Sequence, residues 1–254
     1  MSAPVAVVTG ASRGIGRRLS RDLAGRGFDV VCIARTSRAN PSPLPGTVED
    51  AADEVAKQGR RAMAVALDVR DEAAVAALAG RIYDEWGRCD LLINNAAVAP
   101  PRPALEDTTR RWRLAVDVNL NAPFWFMYHL CPKMAAAEGG RVINVSSVAA
   151  VLPNFGRASY TTTKRALEAL SESLAHDLRG RVAVNALRID VPVYSEGFEA
   201  TMPGDYSDYE DAVVVSDAVF WMIAQPISFT GQLASIAGLR ERGSVRPRTP
   251  HDPA

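Results

Sequence analysis

The sequence predicts an α/β fold, a doubly wound parallel sheet of about seven strands with helices on both faces. Three observations indicate this fold. Short apolar runs alternate with segments of helical spacing along most of the chain. The apolar runs show no period of two, which is typical of strands buried on both faces of a sheet. The first run ends at a glycine-rich turn that leads directly into a helical segment.

The first half of the chain alternates between strand and helix patterns without interruption. We expect strands at residues 5–9, 30–34, 62–67 and 90–93, and helices at residues 15–24 and 71–86. Residues 36–46 contain three prolines and must form a loop. Thr47 can cap the helix that follows this loop, and Asp50 is placed to complete a capping box.

The second half continues the pattern with longer helices. We expect helices at residues 108–136, 158–178 and 216–224, and strands at residues 141–145, 182–187 and 232–236. Pro123 and Pro132 should kink or interrupt the first of these helices, because proline removes a helical hydrogen bond.

The pattern indicates one domain over residues 1–239. Residues 240–254, here called the tail, are rich in Arg and Pro and have almost no apolar residues. We therefore expect the tail to be loosely ordered, with docking on a partner subunit as the alternative.

Composition restricts the class of protein. The 254 residues are 48% hydrophobic and 23% charged, and the formal net charge is zero. This balance argues against a nucleic-acid partner and against an anionic membrane surface. No apolar run is long enough to cross a bilayer. The amino-terminal residues lack the pattern of a signal peptide, so a cytoplasmic enzyme is expected.

The three cysteines are far apart in the sequence and match no metal-ligand spacing. We expect neither a disulfide framework nor a metal site, and a reducing compartment fits best.

A glycine-rich turn joins the first strand to the first helix and reads Thr9-Gly10-Ala11-Ser12-Arg13-Gly14-Ile15-Gly16. Glycines let the backbone approach a phosphate closely, and the amino terminus of a helix offers free N–H groups to it. The spacing G-x-x-x-G-x-G differs from the common G-x-G-x-x-G. A tight turn without a ligand is the alternative interpretation.

Charge near the second strand indicates the type of dinucleotide. An acidic residue there would hold the ribose hydroxyl of NAD, whereas a basic residue accommodates the 2′-phosphate of NADP. The strand ends at Arg35 and Thr36, and Arg13 lies in the glycine turn. Two guanidinium groups favour NADP(H), with NAD(H) possible if both are ordinary surface arginines. Asp68, followed by Val69, could bind the adenine amino group or cap its own loop.

Tyr160 and Lys164 are four residues apart at the start of a predicted helix, so they share one face. A phenol has a reference pKa of about 10, and a nearby ammonium group lowers it. The pair is therefore a plausible unit for passing a proton to a carbonyl oxygen. Ser146 and Ser147 end the preceding strand, where a hydroxyl can donate a hydrogen bond to the same oxygen.

Asparagines complete the polar edge of the predicted sheet. Asn94-Asn95-Ala96-Ala97 ends the fourth strand. Asn119 lies within a helix, which asparagine disfavours, and it could hold a water or a backbone group. Local capping is the alternative for each of these residues.

At these residues the sequence resembles the short-chain dehydrogenase/reductase family, over about residues 3–236. The resemblance implies a Rossmann-like fold, a nicotinamide cofactor and a small-molecule carbonyl or alcohol substrate. It implies that Tyr160 is the acid or base, that Lys164 lowers its pKa and binds ribose, and that Ser147 polarises the substrate. Asn119 would hold a proton-relay water. Relatives are tetramers or dimers built from the two long helices, so a homo-oligomer is implied.

The spacing of Ser147 from Tyr160 is the family's usual one, which selects Ser147 over Ser146. The glycine turn, the strand ends and the catalytic helix together supply the expected cofactor-binding residues. They are Gly10, Ser12, Arg13, Gly14, Ile15, Gly16, Arg35, Thr36, Asp68, Val69, Asn95, Ala96, Tyr160, Lys164 and Val191.

The sequence departs from the family in two places. Ala97 replaces a glycine, which is a mild change. The Pro-Gly segment after the sixth strand, which precedes a threonine that holds the carboxamide, is absent. Backbone groups around Val191 are expected to reach the carboxamide instead, with Ser195 as a side-chain substitute.

Residues 190–211 occupy the position of the family's substrate lid, so the resemblance implies a lid within a catalytic domain over residues 1–239. The lid carries five aromatic or Met side chains and several acidic residues, which suit an apolar substrate and disfavour a strongly anionic one. A plain closing loop without substrate specificity is the alternative. The loop at residues 37–46 resembles a hydroxysteroid dehydrogenase-like branch of the family without fixing a steroid substrate. Two alternatives to an NADP(H)-dependent reductase remain open. One is an NAD-dependent alcohol dehydrogenase, and the other is a dinucleotide-sensing or scaffold protein on the same fold.

Overall fold

A computed structural model describes residues 2–99, 101–152, 155–200, 202 and 204–251. Within these residues the strands form one parallel sheet of seven strands, in the order β3-β2-β1-β4-β5-β6-β7. The predicted doubly wound fold is confirmed. The strands are β1 Val5–Thr9, β2 Asp29–Ala34, β3 Ala62–Ala66, β4 Leu91–Asn94, β5 Gly140–Ser147, β6 Val182–Ile189 and β7 Leu233–Ser235.

The helices cover both faces of this sheet. They are α1 Gly14–Gly25, α2 Val48–Lys57, α3 Glu72–Trp86, α4 Thr109–Val116, α5 Ala122–Ala136, α6 Ala158–Asp177, α7 Glu196–Glu199, α8 Val213–Ile223 and α9 Ile236–Glu241. The predicted capping box at the start of α2 is present, since Thr47 and Asp50 bond reciprocally.

Two hydrophobic clusters pack the helices onto the sheet, one on each face. Leu19 of α1 and Val219 of α8 are fully buried in the first cluster. Phe126 of α5 and Ile82 of α3 are almost fully buried in the second. Burying each such side chain contributes about 1.5–3 kcal/mol, which is why strands apolar on both faces are stable here.

The predicted long helix at residues 108–136 is interrupted, as its prolines suggested. Between α4 and α5 lies one π-helical turn, Asp117–Asn121. Pro123 lies in the first turn of α5 and lacks the N–H that would bond the carbonyl of Asn119 in a continuous α-helix. The interruption therefore comes just before Pro123, whereas Pro132 is accommodated inside α5.

Residues 240–251 of the tail contact the lid. The ring of His251 stacks on Tyr194 of the lid, with centroids 3.7 Å apart. The backbone N–H of Asp211 donates to the carbonyl of Thr249 at 3.0 Å. Arg240 forms an ion pair of 2.6 Å with Glu210, which is buried. Ring stacking, backbone bonds and ion pairs thus order a segment that has little apolar surface. Residues 252–254 of the expected loose tail lie outside the described residues.

The lid contains α7 and a cluster of aromatic rings. Tyr194, Phe198, Tyr206 and Tyr209 pack edge to face or tilted, with centroids between 4.7 and 6.0 Å. Thr201 and Pro203 of the lid are outside the described residues. Among the helices described, none is long and apolar enough to span a membrane.

Candidate active site

The glycine turn (residues 9–16) follows β1 at the carboxyl edge of the sheet. Gly10 and Gly14 have positive φ angles of 69° and 52°, which disfavour other residues. A Cβ on Gly16 would lie 2.2 Å from the carbonyl oxygen of Gly10, and a Cβ on Gly10 would lie 2.9 Å from Ala96 Cα. The turn therefore requires glycine for its own packing, and it presents the amino terminus of α1 at the sheet edge.

Thr9 and Asn95 fasten this turn to the end of β4. The hydroxyl of Thr9 accepts bonds from the N–H groups of Asn95 and Ala96, each at 3.0 Å. The amide of Asn95 donates to the carbonyl of Thr9 at 2.9 Å. Asn95 and Ala96 thus lie against the glycine turn. Thr9 was not predicted as a site residue, although a hydroxyl at the last position of an apolar strand is a visible signal.

Arg13 lies at the opposite end of the turn, against the proline-rich loop. Its guanidinium donates to Ser42 at 2.7 Å, to Thr36 at 3.3 Å and to the carbonyl of Pro45 at 3.0 Å. Burial lowers the pKa of Arg13, Glu196 raises it, and the nearby positive charge of Arg35 lowers it further. The structure therefore brings Arg13, Arg35 and Thr36 together, as the sequence predicted.

Arg35 itself is exposed, and within the described residues it has no hydrogen bond or ion pair. Asp68 forms an ion pair of 2.6 Å with Arg70 and accepts a bond from its N–H, so it caps its own loop. These contacts hold the pKa of Asp68 below its usual value. Val69 is buried beneath this loop.

Tyr160 lies in the first turn of α6, close to Ser147 at the end of β5. Burial raises the pKa of the Tyr160 phenol, while the hydrogen bond with Ser147 and the positive charge of Arg157 act in the opposite direction. The hydroxyl of Ser147 also accepts a bond from Ala149 N–H at 3.2 Å. The two hydroxyl groups therefore lie close together at the end of β5.

Lys164 is almost fully buried on the same helix face. Its Nζ donates to the carbonyl of Val145 at 2.6 Å and lies 5.6 Å from the centre of the Tyr160 ring. Burial lowers the pKa of Lys164 to about 8, against the opposing charge of Glu168. The expected effect of Lys164 on the pKa of Tyr160 stays a prediction. The ammonium group of Lys164 is directed at the backbone carbonyl of Val145. Burial is the largest influence on the pKa of the Tyr160 phenol.

Asn119 is fully buried in the π-helical turn and bonds on both sides of its amide. Its Oδ1 accepts from Val98 N–H at 2.8 Å, and its Nδ2 donates to the Val98 carbonyl at 2.9 Å. Nδ2 also donates to the hydroxyl of Thr163 at 3.1 Å. Asn119 therefore holds the segment after β4 against the catalytic helix, and Thr163 is a further site residue that sequence reasoning missed.

The segment that replaces the family's Pro-Gly is anchored by its own contacts. Asp190 accepts a bond of 2.9 Å from Ala237 N–H at the start of α9. Val191 is half-buried against the hydrophobic cluster. Ser195 caps α7 and lies against the glycine turn, where a Cβ on Gly14 would be 2.9 Å from the Ser195 Cβ. Ser195 thus lies beside Gly14, at the start of α1.

The hydrogen-bond donors and positive charges around the glycine turn fit a dinucleotide. The turn offers a helix amino terminus to a pyrophosphate, and the arginines at its end offer positive charge to a ribose phosphate. In the described part of the chain, no group of three or more His, Cys, Asp or Glu residues could hold a metal ion.

Solved structures share this architecture closely. A metagenomic short-chain oxidoreductase in complex with NADP is 32% identical, with a TM-score of 0.76 over 91% of this chain and 96% of that chain. Acetoin dehydrogenase of Salmonella typhimurium is 25% identical, with a TM-score of 0.79 over 92% and 94% of the two chains.

Curated relatives and a family model agree with the structures. Hydroxysteroid dehydrogenase-like protein 2 of Bos taurus is 28% identical over 227 residues, which cover 88% of this chain and 54% of the relative. The chain thus spans about half the length of the curated relatives it matches. The model described as short chain dehydrogenase matches residues 4–191, which is most of the chain, and the protein therefore belongs to the short-chain dehydrogenase family.

Proposed function

We propose that the protein is an oxidoreductase that transfers a hydride between NADP(H) and a carbonyl or alcohol carbon, with Tyr160 as the acid or base. One observation carries this proposal. Tyr160, Ser147 and Lys164 converge at the carboxyl edge of the sheet, beside a turn that fits a dinucleotide. Ligands bind at this edge in open α/β sheets.

The residues have distinct tasks in reduction. The cofactor, when bound, supplies the hydride. The raised pKa of Tyr160 keeps the phenol protonated at neutral pH, so its hydroxyl can donate a proton to the carbonyl oxygen. Ser147 donates a hydrogen bond to the same oxygen as negative charge develops. Lys164 would release the Val145 carbonyl and bind the nicotinamide ribose, and Asn119 would position the water that returns a proton to Tyr160.

A preference for NADP(H) is supported by the charges around Arg13. Its guanidinium and that of Arg35 are close enough for the charge of Arg35 to lower the pKa of Arg13. Their repulsion is relieved when a phosphate binds between them. A cofactor without the 2′-phosphate would not relieve this repulsion.

The chemistry is tested by following NADPH oxidation against a panel of ketones, aldehydes, quinones and acyl thioesters. Tyr160→Phe should lose at least about 100-fold in kcat, because one general acid contributes that much. Tyr128→Phe, an exposed ring on α5, is the matched control and should retain activity. Equal activity in both variants would overturn the role of Tyr160. Tight NADPH binding with no turnover on the whole panel would favour the sensor or scaffold alternative.

The cofactor preference is tested with Arg35→Gln, measured with NADPH and NADH. Losing one charge-assisted phosphate contact should raise KM for NADPH about 10-fold and change KM for NADH little. Arg38→Gln, an exposed arginine paired with Asp50 and Asp53, is the control. An Arg35→Gln enzyme that still prefers NADPH to the native extent would contradict the assignment.

We further propose a cytoplasmic homo-oligomer, a tetramer or dimer. The three cysteines are buried free thiols, and burial raises the pKa of each, as suits a reducing compartment. The large apolar side chains Trp112, Phe124 and Tyr128 are exposed on α4 and α5, the region in which subunit contacts were expected.

A further inference from the structure

Arg157 is a buried cation beside the proposed proton donor. It precedes α6 and lies three residues before Tyr160, yet only 8% of its surface is exposed. Its side chain does not cap the helix. Arginines are almost never this buried unless they are paired, so the partners of Arg157 decide its role.

The partners of Arg157 in the free protein do not neutralise its charge. The guanidinium donates to the backbone carbonyl of Ala99 and to the sulfur of Met202, the latter at 2.8 Å. It also lies 6.0 Å from the centre of the Phe198 ring. Within the described residues no carboxylate is within ion-pair distance of it. A buried guanidinium without a counter-ion is costly, and an anionic ligand group would remove that cost.

Three acidic residues of the lid have partners other than Arg157. Glu199 accepts a bond of 2.6 Å from the hydroxyl of Tyr194. Glu210 and Asp211 are paired with arginines outside the lid, each at 2.6 Å. These three carboxylates therefore do not compete with a substrate carboxylate for Arg157.

The position of Arg157 places it in the wall of the substrate space. Its contacts join the start of α6, which carries Tyr160, to the segment after β4 and to the lid. The positive charge of Arg157 also acts to lower the pKa of the Tyr160 phenol. The rim nearby is apolar. Phe155, Leu152 and Leu105 are 89%, 61% and 102% exposed, and the N–H of Arg102 bonds the carbonyl of Gly156 at 2.9 Å to join the two rim segments.

Resting on the proposed function, we propose that Arg157 determines specificity by binding a carboxylate group of the substrate. The substrate class is then a carbonyl compound, or the corresponding alcohol, with an apolar body and one carboxylate. The planar guanidinium can donate two parallel hydrogen bonds to that carboxylate. The carboxylate replaces Met202 as a partner, and the apolar rim contacts the body of the substrate.

The test compares matched pairs of substrates. Aryl keto acids that differ in the number of methylene groups between carbonyl and carboxylate are each assayed beside their uncharged methyl esters. The native enzyme should prefer at least one acid over its ester by about 10-fold or more in kcat/KM. In Arg157→Gln the ratio of kcat/KM for the acid to that for the ester should decrease about 10- to 100-fold. Arg157→Lys should have a ratio between those of the native enzyme and Arg157→Gln.

Two results would overturn the proposal. One is a native enzyme whose kcat/KM is equal for every acid and its ester. This result does not depend on the folding of any variant. The other is an equal loss on acid and ester in Arg157→Gln, which indicates a structural role alone. If the enzyme turns over esters or neutral ketones without preferring acids, the proposed hydride transfer stands and only carboxylate binding by Arg157 is refuted.

A binding measurement keeps the test decisive if none of these compounds is turned over. Phenylbutyrate and phenylbutyramide are titrated into the native protein with NADPH, using the nicotinamide fluorescence as readout. The acid should bind at least about 10-fold more tightly than the amide, and Arg157→Gln should remove the difference. Equal binding of acid and amide by the native protein would refute the proposal.

Discussion

Burial acts in opposite directions on the two titratable groups at the reaction centre. It raises the pKa of Tyr160 and lowers the pKa of Lys164 to about 8. In both cases the pKa moves in the direction of the neutral form, because a low-dielectric surrounding penalises charge. Burial therefore disfavours a phenolate paired with an ammonium ion in the free site. The ammonium of Lys164 is satisfied by a backbone carbonyl until a ligand competes for it.

The depressed pKa of Lys164 predicts how stability depends on pH. Unfolding restores its ordinary value of 10.5, so unfolding takes up a proton between pH 8 and pH 10.5. Stability should therefore rise with pH in this window, by about 2 kcal/mol from pH 8 to pH 10, relative to Lys164→Met. The three buried cysteines and the tyrosines with raised pKa values act in the opposite direction above their ordinary values of 9.0 and 10.0, but they do so in both proteins and cancel in the comparison. Urea unfolding of both proteins at the two pH values measures the difference, and parallel pH dependences would contradict the burial argument.

Sequence reasoning located most residues at the site but not all of their contacts. The glycine turn, Ser147 and Tyr160 could be predicted because each combines a residue type with a fixed place at a strand end or helix start. Thr163 could not be found in this way. Its bond to Asn119 joins residues 44 positions apart and depends on how the π-helical turn faces α6. The direction of the Lys164 ammonium likewise depends on the carbonyl of Val145.

At the scale of elements, the lid and the tail form one unit. The two ends of the lid meet where the N–H of Tyr194 donates to the carbonyl of Glu210 at 3.0 Å. The tail then adds the stacked ring of His251 and the buried ion pair between Arg240 and Glu210. Composition alone suggested a loose tail, because contacts through rings, ion pairs and backbone leave no apolar periodicity in the sequence.

Removing the tail should loosen the lid. Deleting residues 247–254 removes the His251 stack and the backbone bond to Asp211. An aromatic pair and a hydrogen bond are each worth about 1 kcal/mol, so amide exchange in the lid should accelerate about 10-fold or more. Hydrogen exchange read by mass spectrometry follows the lid peptides, with α3 peptides as an internal reference. A chain ending at His251 keeps these contacts and is the control. Equal amide exchange in the lids of both chains would refute stabilisation of the lid by the tail.

At the scale of the whole molecule, periodicity predicted the architecture well. The strands of the sheet are apolar on both faces, and alternation with helices and right-handed crossovers leave few possible arrangements. The order of the sheet places β1, β4, β5 and β6 side by side at its centre. Their carboxyl ends carry the glycine turn, Asn95, Ser147 and Asp190, which is why residues far apart in sequence form one site.

Exposed apolar surface on the helices predicts an assembly. Phe124 and Tyr128 of α5 are 40% and 61% exposed with ring centroids 5.9 Å apart, and Trp112 of α4 is 44% exposed. Contiguous apolar surface of this kind on one face is typical of a subunit contact. A charge in the centre of such a contact is buried without a partner and costs several kcal/mol per interface.

Tyr128→Glu should therefore shift the protein from an oligomer to smaller species at micromolar concentration, as measured by light scattering coupled to size-exclusion chromatography. Leu105→Glu places the same charge at a fully exposed apolar residue in the loop before α4 and should leave the mass unchanged. A native monomer would refute the assembly outright. An oligomer that both variants preserve would instead place the contact on another face, because a buried glutamate at position 128 is incompatible with an intact apolar interface.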